Sequence, residues 1–121
     1  MYIKNFQEMV VWQKAMDVAK SIYLLVKKLP KEEVFSLSDQ MRRSAVSIPS
    51  NIAEGQARNS TKEFMHFIAV AKGSEAELKT QLLLCVKVGY LSEADISEAI
   101  DLLIEVGKML TALTKKLITD H

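Results

Sequence analysis

A proline lies inside the most strongly patterned segment of this chain, the run from Gln40 to Gly55. A proline within a helix removes one backbone hydrogen bond and clashes with the preceding turn, at a cost of roughly 3 kcal/mol. The apolar positions nevertheless keep one helical phase on both sides of Pro49: Met41, Ala45, Ile48 and Ile52. We therefore predict a continuous but bent helix rather than two helices split by a loop.

The composition indicates a single helical domain. The chain has 121 residues, which suits one domain with a real core. It contains only four glycines and two prolines, and this scarcity favours long helices with short connections. The formal net charge of +1 gives no global attraction to nucleic acid or to anionic lipid. No apolar run reaches the roughly 18 residues that span a bilayer, and residues 1–11 lack a signal-peptide pattern, so we expect a soluble cytoplasmic protein without membrane partners.

Apolar spacing predicts four helices. The first runs from about Glu8 to Leu29 and stops at Pro30, and the second runs from about residues 35–38 to Ala57. The third follows Ser60 and ends at Gly89, and the fourth follows Ser92. The predicted fold is an all-α, antiparallel up-down-up-down four-helix bundle, a single domain over residues 6–118 with flexible ends at 1–5 and 119–121.

Two of these helices begin with a capping-box pattern. Ser60 and Glu63 are spaced so that the hydroxyl and the carboxylate satisfy exposed backbone amides at the start of the third helix. Ser92 and Asp95 have the same spacing at the start of the fourth. The two boxes predict where the helices begin.

The first helix carries two adjacent apolar stripes. One consists of Val11, Ala15, Val18, Ile22, Leu25 and Leu29. The other consists of Met9, Trp12, Met16, Ala19, Tyr23 and Val26. Two stripes cover more of a helix than one bundle core requires, so we expect the second face to meet another subunit.

Polar side chains accompany the apolar line of the second helix and face the third. Because half-buried polar groups need hydrogen-bond partners, we expect them to organise contacts beyond core packing. We predict that Glu77 pairs with Arg42 or Arg43 across the two helices, and that Glu54 pairs with Arg58 one turn away. The predicted structural polar network is Arg42, Arg43, Asn51, Glu54, Glu77 and Gln81.

No pattern of catalytic, metal-binding or cofactor-binding residues is present, so we expect no enzyme and no cofactor. Glu63 lies three residues before His66, but no glutamate lies three residues before His121, and bundle di-metal sites require the Glu-x-x-His element on two helices. Cys85 is the single cysteine, lies among leucines, and is expected to be a buried inert thiol. Gly73 follows no strand and lacks phosphate-loop spacing, and we expect it to admit a neighbouring helix at close range.

The basic residues are mostly interleaved with acids and indicate a solvated surface. Two groups near predicted helix ends are the best candidates for phosphate contact. These candidate nucleic-acid contacts are Lys27, Lys28 and Lys31, and Arg58 with Lys62.

Three segments carry a resemblance to a known family. They are the Val-Trp-Gln-Lys-Ala run at Val11–Ala15, the run Arg42–Gly55, and Gly73-Ser74-x-x-Glu77-Leu78-x-Thr80-Gln81-Leu82. Together they resemble the 23S rRNA intervening-sequence proteins, over about residues 6–117. The resemblance implies a small bacterial four-helix bundle without known catalysis and with an undetermined role. It supplies no active-site residues.

A related branch, the accessory proteins of diversity-generating retroelements, implies more about assembly. Those proteins form barrel-shaped pentamers that bind nucleic acid and a reverse transcriptase, and they are strongly basic, whereas this chain is not. Two hypotheses follow. The first is a non-catalytic homo-oligomer, a pentamer by this resemblance. The alternative is an accessory protein that binds structured RNA or DNA through a basic patch of the oligomer.

Overall fold

The computed structural model describes residues 5–119, which form four α-helices and contain no strand. Each helix contacts two others: α1 and α3 both pack against α2 and α4. Three short 3₁₀ turns occur at Phe6–Glu8, Val26–Lys28 and Lys31–Glu33. The helices are α1 (Val10–Leu25), α2 (Leu37–Ala57), α3 (Thr61–Lys87) and α4 (Glu93–Thr119). The predicted all-helical class with four helices is confirmed.

Helix α1 is shorter than the sequence predicts. Met9 is extended, with ψ of 123°, and separates α1 from the preceding 3₁₀ turn. At the other end Leu29 is extended, with ψ of 153°, as expected for a residue before a proline. The chain therefore leaves the α-helix at Leu25 and reaches Pro30 through a 3₁₀ turn.

Helix α2 is continuous across Pro49, so the predicted continuity is confirmed. Pro49 is buried beside α1, and its ring lines a cavity with Trp12 and Met16. Two residues further on, Asn51 Nδ2 donates to the Ser47 carbonyl at 2.7 Å and to the Ser47 hydroxyl at 2.9 Å. The Asn51 side chain therefore stabilises the helical turn next to the proline.

The core is formed by side chains from all four helices, including the whole first stripe of α1. Cys85 is buried there, as the sequence predicts, with its Sγ 3.7 Å from Met41 Sδ. Burial raises the pKa of this thiol. The largest fully buried aliphatic side chains are Val18, Ile22, Met41, Ile48, Ile52, Ile68, Leu78, Leu82, Leu103, Val106 and Leu110.

The predicted helix starts at Ser60 and Ser92 are both present. Ser92 and Asp95 form a reciprocal box, in which the Ser92 amide donates to Asp95 at 2.9 Å and the Asp95 amide donates to Ser92 Oγ at 3.0 Å. At Ser60 only half of the box forms, because the Glu63 carboxylate turns to Arg58 instead. Gly89 follows α3 with φ of 88°, the left-handed conformation expected after a helix end.

The described residues include one residue of each predicted flexible end, Asn5 and Thr119. Thr119, predicted to be in a flexible tail, is the last residue of α4, and Asn5 caps the first 3₁₀ turn. The other predicted end residues, 1–4 and 120–121, lie outside the described residues. Within residues 5–119, no helix combines the length and apolar character needed to cross a bilayer.

The close approach of two helices occurs at Gly55 and not at Gly73. A Cβ on Gly55 would lie 2.7 Å from Phe67 Cβ and 3.0 Å from Phe64 Cδ1, so α3 packs directly on the glycine backbone. A Cβ on Gly73 would meet nothing within 4 Å. The prediction for Gly73 is therefore wrong within the subunit, because that glycine faces open space.

We expect Gly55→Ala to destabilise the protein. The added methyl group has no room between α2 and α3, and overpacking of this kind costs about 1–3 kcal/mol. This cost outweighs the gain of up to about 1 kcal/mol in helix propensity. Urea unfolding followed by circular dichroism measures the change in unfolding free energy.

Gly73→Ala is the matched control, since it makes the same change inside a helix without a clash. We expect it to raise the unfolding free energy by about 1 kcal/mol through helix propensity alone. Equal effects of the two variants contradict the assignment of Gly55 as the contact point between the helices.

Candidate functional site

A line of side-chain contacts joins α2 to α3, and we call it the α2–α3 seam. Its members lie three residues apart on α2 and eight and three residues apart on α3, and their residue numbers fall on α3 as they rise on α2. Ser44 donates to Glu77 Oε1 at 2.9 Å and is itself only 3% exposed. The seam pairs are Met41 with Cys85, Ser44 with Glu77, and Ser47 with Ser74.

The structure corrects the predicted partners of Glu77. Ser44 holds this carboxylate, and neither arginine reaches it. Arg43 Nε instead lies 3.0 Å from Asp39 Oδ2, one turn away on the same helix, and its side chain is 79% exposed. Arg42 Nη2 donates to the Val34 carbonyl at 3.1 Å, in the turn before α2. Serine rather than arginine occupies the helix face towards α3.

The remaining members of the predicted polar network make separate contacts. Glu54 and Arg58 pair at 2.7 Å, as predicted. Asn51 bonds to Ser47 of its own helix and, among residues 5–119, to no residue of α3. Gln81 is 7% exposed, and its Oε1 accepts no hydrogen bond from the described residues. The six residues therefore do not form one network.

The second stripe of α1 borders an apolar cavity between α1 and α2. Met9 and Val26, at its ends, are buried, whereas Met16 is 45% and Tyr23 is 47% exposed. The cavity has a volume of about 500 Å³. Its lining is Phe6, Trp12, Met16, Ala19, Lys20, Tyr23, Val46, Pro49, Ser50 and Ala53. The surplus apolar surface predicted for α1 is thus exposed in the subunit.

A second cavity, of about 660 Å³, adjoins the first at Tyr23, which lines both. Apolar side chains such as Val26 and Leu29 line it, together with three basic ones: Lys27, Lys31 and Arg42. We call the two cavities together the α1–α2 groove. Four basic side chains and no carboxylate line the groove, because Lys20 adds to these three.

At the edge of the groove, residues 31–36 form a turn; its Lys31 and Val34 line the groove, and its Phe35 side chain is 93% exposed. We call residues 31–36 the Phe35 turn. Glu33 fastens it, since its carboxylate accepts hydrogen bonds from the Ser36 hydroxyl at 2.5 Å, the Leu37 amide at 3.3 Å and the Tyr90 hydroxyl at 2.8 Å. These bonds, the Ser36 hydroxyl first, hold the pKa of Glu33 below its ordinary value. The turn is therefore fixed to both α2 and the end of α3.

The predicted phosphate contacts form two separate clusters. Lys27 and Lys31 are exposed near the start of α2, while Lys28 Nζ lies 3.0 Å from Asp95 Oδ1. Lys62 is exposed just beyond the end of α2. Because α2 has 21 residues, its two ends are about 30 Å apart.

Arg58, at the second cluster, is committed to contacts within the subunit. Its guanidinium lies 2.7 Å from Glu54 and 3.4 Å from Glu63, and 5.1 Å from the centre of the Phe67 ring. The hydrogen bond to Glu54 raises the pKa of this arginine. Of the five candidate contacts, Lys28 and Arg58 form ion pairs, whereas Lys27, Lys31 and Lys62 form none with the described residues.

Metal chemistry finds no support in the part of the chain that the structure covers. Residues 5–119 contain no group of three histidine, cysteine or acidic side chains close enough to hold an ion.

Two features of the structure, Gly55 and Phe35, were not predicted from the sequence. The role of Gly55 depends on how α3 packs against α2, which spacing along the sequence does not show. The exposed Phe35 could have been predicted, because the apolar run Val34-Phe35 lies outside every apolar stripe of the predicted helices.

The family model described as 23S rRNA-intervening sequence protein matches residues 7–112. The chain belongs to the 23S rRNA-intervening sequence protein family. The membership that the motifs imply is thereby confirmed. A comparison with curated proteins finds no match. The relation of this family member to the accessory proteins of diversity-generating retroelements stays a prediction.

A solved structure supports the fold of this family member. It comes from Bacteroides thetaiotaomicron VPI-5482 and is described as a protein with unknown function from the S23 ribosomal protein family. The two chains are 27% identical with a TM-score of 0.81, and the match covers 88% of this chain and 99% of that one.

We expect the Phe35 turn to make stability depend on pH. Because the folded-state pKa of Glu33 lies below 4.5, its carboxylate stabilises the fold above about pH 4.5. That contribution is lost as the pH falls through the folded-state pKa. Thermal unfolding of wild type and Glu33→Gln between pH 7 and pH 3 should show a larger loss for wild type.

Glu32→Gln is the control, since Glu32 takes no part in the hydrogen bonds of the turn. We expect its pH profile to follow that of the wild type. If Glu33→Gln and Glu32→Gln have the same profile, the bonds of Glu33 do not stabilise the fold.

Proposed function

We propose that this family member is a non-catalytic homo-oligomeric scaffold, assembled as a pentamer of antiparallel up-down-up-down bundles. The observation that carries the proposal is the first cavity of the α1–α2 groove, whose lining does not include Lys27 or Lys31. It exposes Met16, Tyr23 and Val46 on one continuous surface, and burying such area is the main driving force for association. The pentamer is the assembly that the family resemblance implies.

The order of contacts along the seam supports the proposed topology. Residues 41, 44 and 47 of α2 meet residues 85, 77 and 74 of α3, which is the order expected for antiparallel neighbours. The connections of three residues between α2 and α3 and of five residues between α3 and α4 favour antiparallel packing of these consecutive helices.

The side chains at the seam support a non-catalytic role. Ser47 and Ser74 bond to each other, and Ser44 donates to Glu77, so none has a histidine as an activating base. Burial raises the pKa of the Cys85 thiol and disfavours the reactive thiolate.

We expect light scattering coupled to size exclusion at micromolar concentration to give several times the subunit mass. A pentamer has five times 13.6 kDa, about 68 kDa. Val46→Glu places a charge in the groove and should reduce the mass to that of a monomer, because an unpaired charge is costly to bury.

Ile104→Glu is the matched control for this variant. Ile104 on α4 is 42% exposed, against 41% for Val46, and does not line the groove. We expect it to keep the assembled mass. A monomeric wild type contradicts the proposed scaffold.

A second candidate function is binding of structured RNA or DNA by the assembled protein. The observation that favours it is the exposure of Lys27 and Lys31 at one end of α2. Repetition of these two charges in every subunit raises avidity without any new contact. The net charge of +1 per chain argues against strong binding by a single copy.

Fluorescence anisotropy with a labelled RNA hairpin tests this second function. We expect log affinity to fall linearly with log salt, and the slope to become shallower in Lys27→Gln/Lys31→Gln, because each lost phosphate contact removes about 0.7–0.9 from it. Lys115→Gln/Lys116→Gln, on exposed residues of α4, is the charge-matched control and should keep the wild-type slope. Absence of binding at low salt to hairpin, duplex and single strand excludes this function.

A further inference from the structure

The second cavity of the α1–α2 groove contains a buried hydroxyl group without a partner. Ser38, in the first turn of α2, lines this cavity and is only 2% exposed. Its hydroxyl makes no hydrogen bond to any of residues 5–119. Ser44, which is buried to a similar degree, donates to Glu77 instead. Because buried hydroxyl groups normally have a partner, Ser38 is suited to an acceptor from outside the chain.

Basic side chains surround this hydroxyl. Arg42 lies one turn after Ser38 on α2, and it lines the cavity together with Lys27 and Lys31. Arg42 Nη2 donates to the Val34 carbonyl at 3.1 Å. That bond holds the guanidinium at the cavity and leaves its other N–H groups for a ligand, since an arginine has five of them. The hydroxyl and the three cations together suit an anionic group.

The acidic side chains near the cavity are directed elsewhere. Glu33 accepts three hydrogen bonds, one of them from Tyr90, and Asp39 pairs with Arg43 at 3.0 Å. Neither carboxylate belongs to the lining that the described residues form. An anion in the cavity therefore faces three cations and no acidic side chain.

The rest of the cavity wall is largely apolar and suits a hydrocarbon chain. The volume of about 660 Å³ lies within the range of about 300–1,000 Å³ that is usual for small-molecule sites. A nucleobase would bury several polar atoms against this wall, which is costly without partners, whereas a hydrocarbon chain needs none. The wall side chains are Tyr23, Val26, Leu29, Pro30 and Val34.

We propose that the second cavity binds a fatty-acid-type ligand, an unbranched hydrocarbon chain with one carboxylate. The carboxylate accepts hydrogen bonds from the Ser38 hydroxyl and the Arg42 guanidinium, and the chain packs on Val26 and Leu29. Lys27 and Lys31 attract the charge at the rim. This inference goes beyond the proposed scaffold, which is carried by the first cavity.

Isothermal titration calorimetry with decanoate, below its micelle concentration, tests the proposal. We expect saturable binding of one decanoate per subunit. Decanol has the same chain without the charge and should bind at least about tenfold more weakly, since hydrogen bonds to charged groups are the stronger ones. Equal affinities for decanoate and decanol, or no binding of decanoate, overturn the proposal.

Ser38→Ala and Ser44→Ala form a matched pair, because each removes one buried hydroxyl from α2. Ser38→Ala should weaken decanoate binding about tenfold. It should not lower the unfolding free energy, because the hydroxyl has no partner in the fold. Ser44 does not line the cavity, so Ser44→Ala should keep the wild-type affinity. Unchanged decanoate affinity in Ser38→Ala contradicts the assigned carboxylate position and overturns the site.

A second pair of variants tests the charge at the rim. Lys31→Gln and Lys62→Gln each remove one exposed cation, but only Lys31 lines the cavity. Lys31→Gln should weaken decanoate binding, and Lys62→Gln should not. Equal effects of the two variants mean that decanoate responds only to net charge, which overturns the site.

The outcomes separate this proposal from the proposed functions. Decanoate binding by a monomeric wild type overturns the scaffold and supports the site, and an oligomer without decanoate binding does the reverse. Lys31 also belongs to the RNA contacts suggested above, whereas Ser38 is too buried to reach the backbone of a hairpin. Ser38→Ala should therefore weaken decanoate binding and leave the salt dependence of RNA binding unchanged. A loss of RNA binding in Ser38→Ala overturns the assignment of this hydroxyl to the fatty-acid site.

Discussion

The close packing of α3 on Gly55 is the constraint on which the rest of the structure depends. It brings the two helix backbones together at one end of the α2–α3 seam, where a Cβ would already lie 2.7 Å from Phe67 Cβ. Further along, the small side chains of Ser44 and Ser47 keep the helices near enough for hydrogen bonds to Glu77 and Ser74. Val46, Pro49 and Ala53 of α2 instead line the cavity that α2 shares with α1.

The position of Pro49 follows from this division of α2 into two faces. Its ring contributes to the lining of the α1–α2 groove, beside Trp12 and Val46. The missing amide costs helix stability, but the adjoining turn gains the bonds from Asn51 to Ser47. Pro49 is thus tolerated because its ring adds to an apolar surface and because the Asn51 side chain hydrogen-bonds to the adjacent backbone. The in-phase apolar pattern on both sides of it was sufficient to predict a continuous helix.

Sequence patterns predicted the features that depend on local spacing. The first stripe of α1, the cap at Ser92 and the pairing of Glu54 with Arg58 all involve residues within one or two turns, and the structure contains each of them. The partner of Glu77 and the role of Gly55 depend on the rotation of α2 about its axis relative to α3. Apolar periodicity fixes that rotation only to within the width of a stripe, so it cannot distinguish Ser44 from Arg43 as the residue that faces Glu77.

Glu33 fixes the position of the exposed Phe35 turn relative to the bundle. This carboxylate joins the Phe35 turn to Tyr90 at the end of α3, so the orientation of Phe35 is set when the bundle folds. The turn is therefore already ordered before any partner binds. Binding at this turn would lose less conformational entropy, so a contact of a given area would be stronger. Each chain carries a net charge of only +1, so electrostatic self-repulsion between copies is small. In the proposed ring every subunit is held by two contacts, and dissociation of one copy requires both to break, so each contact can be modest in area.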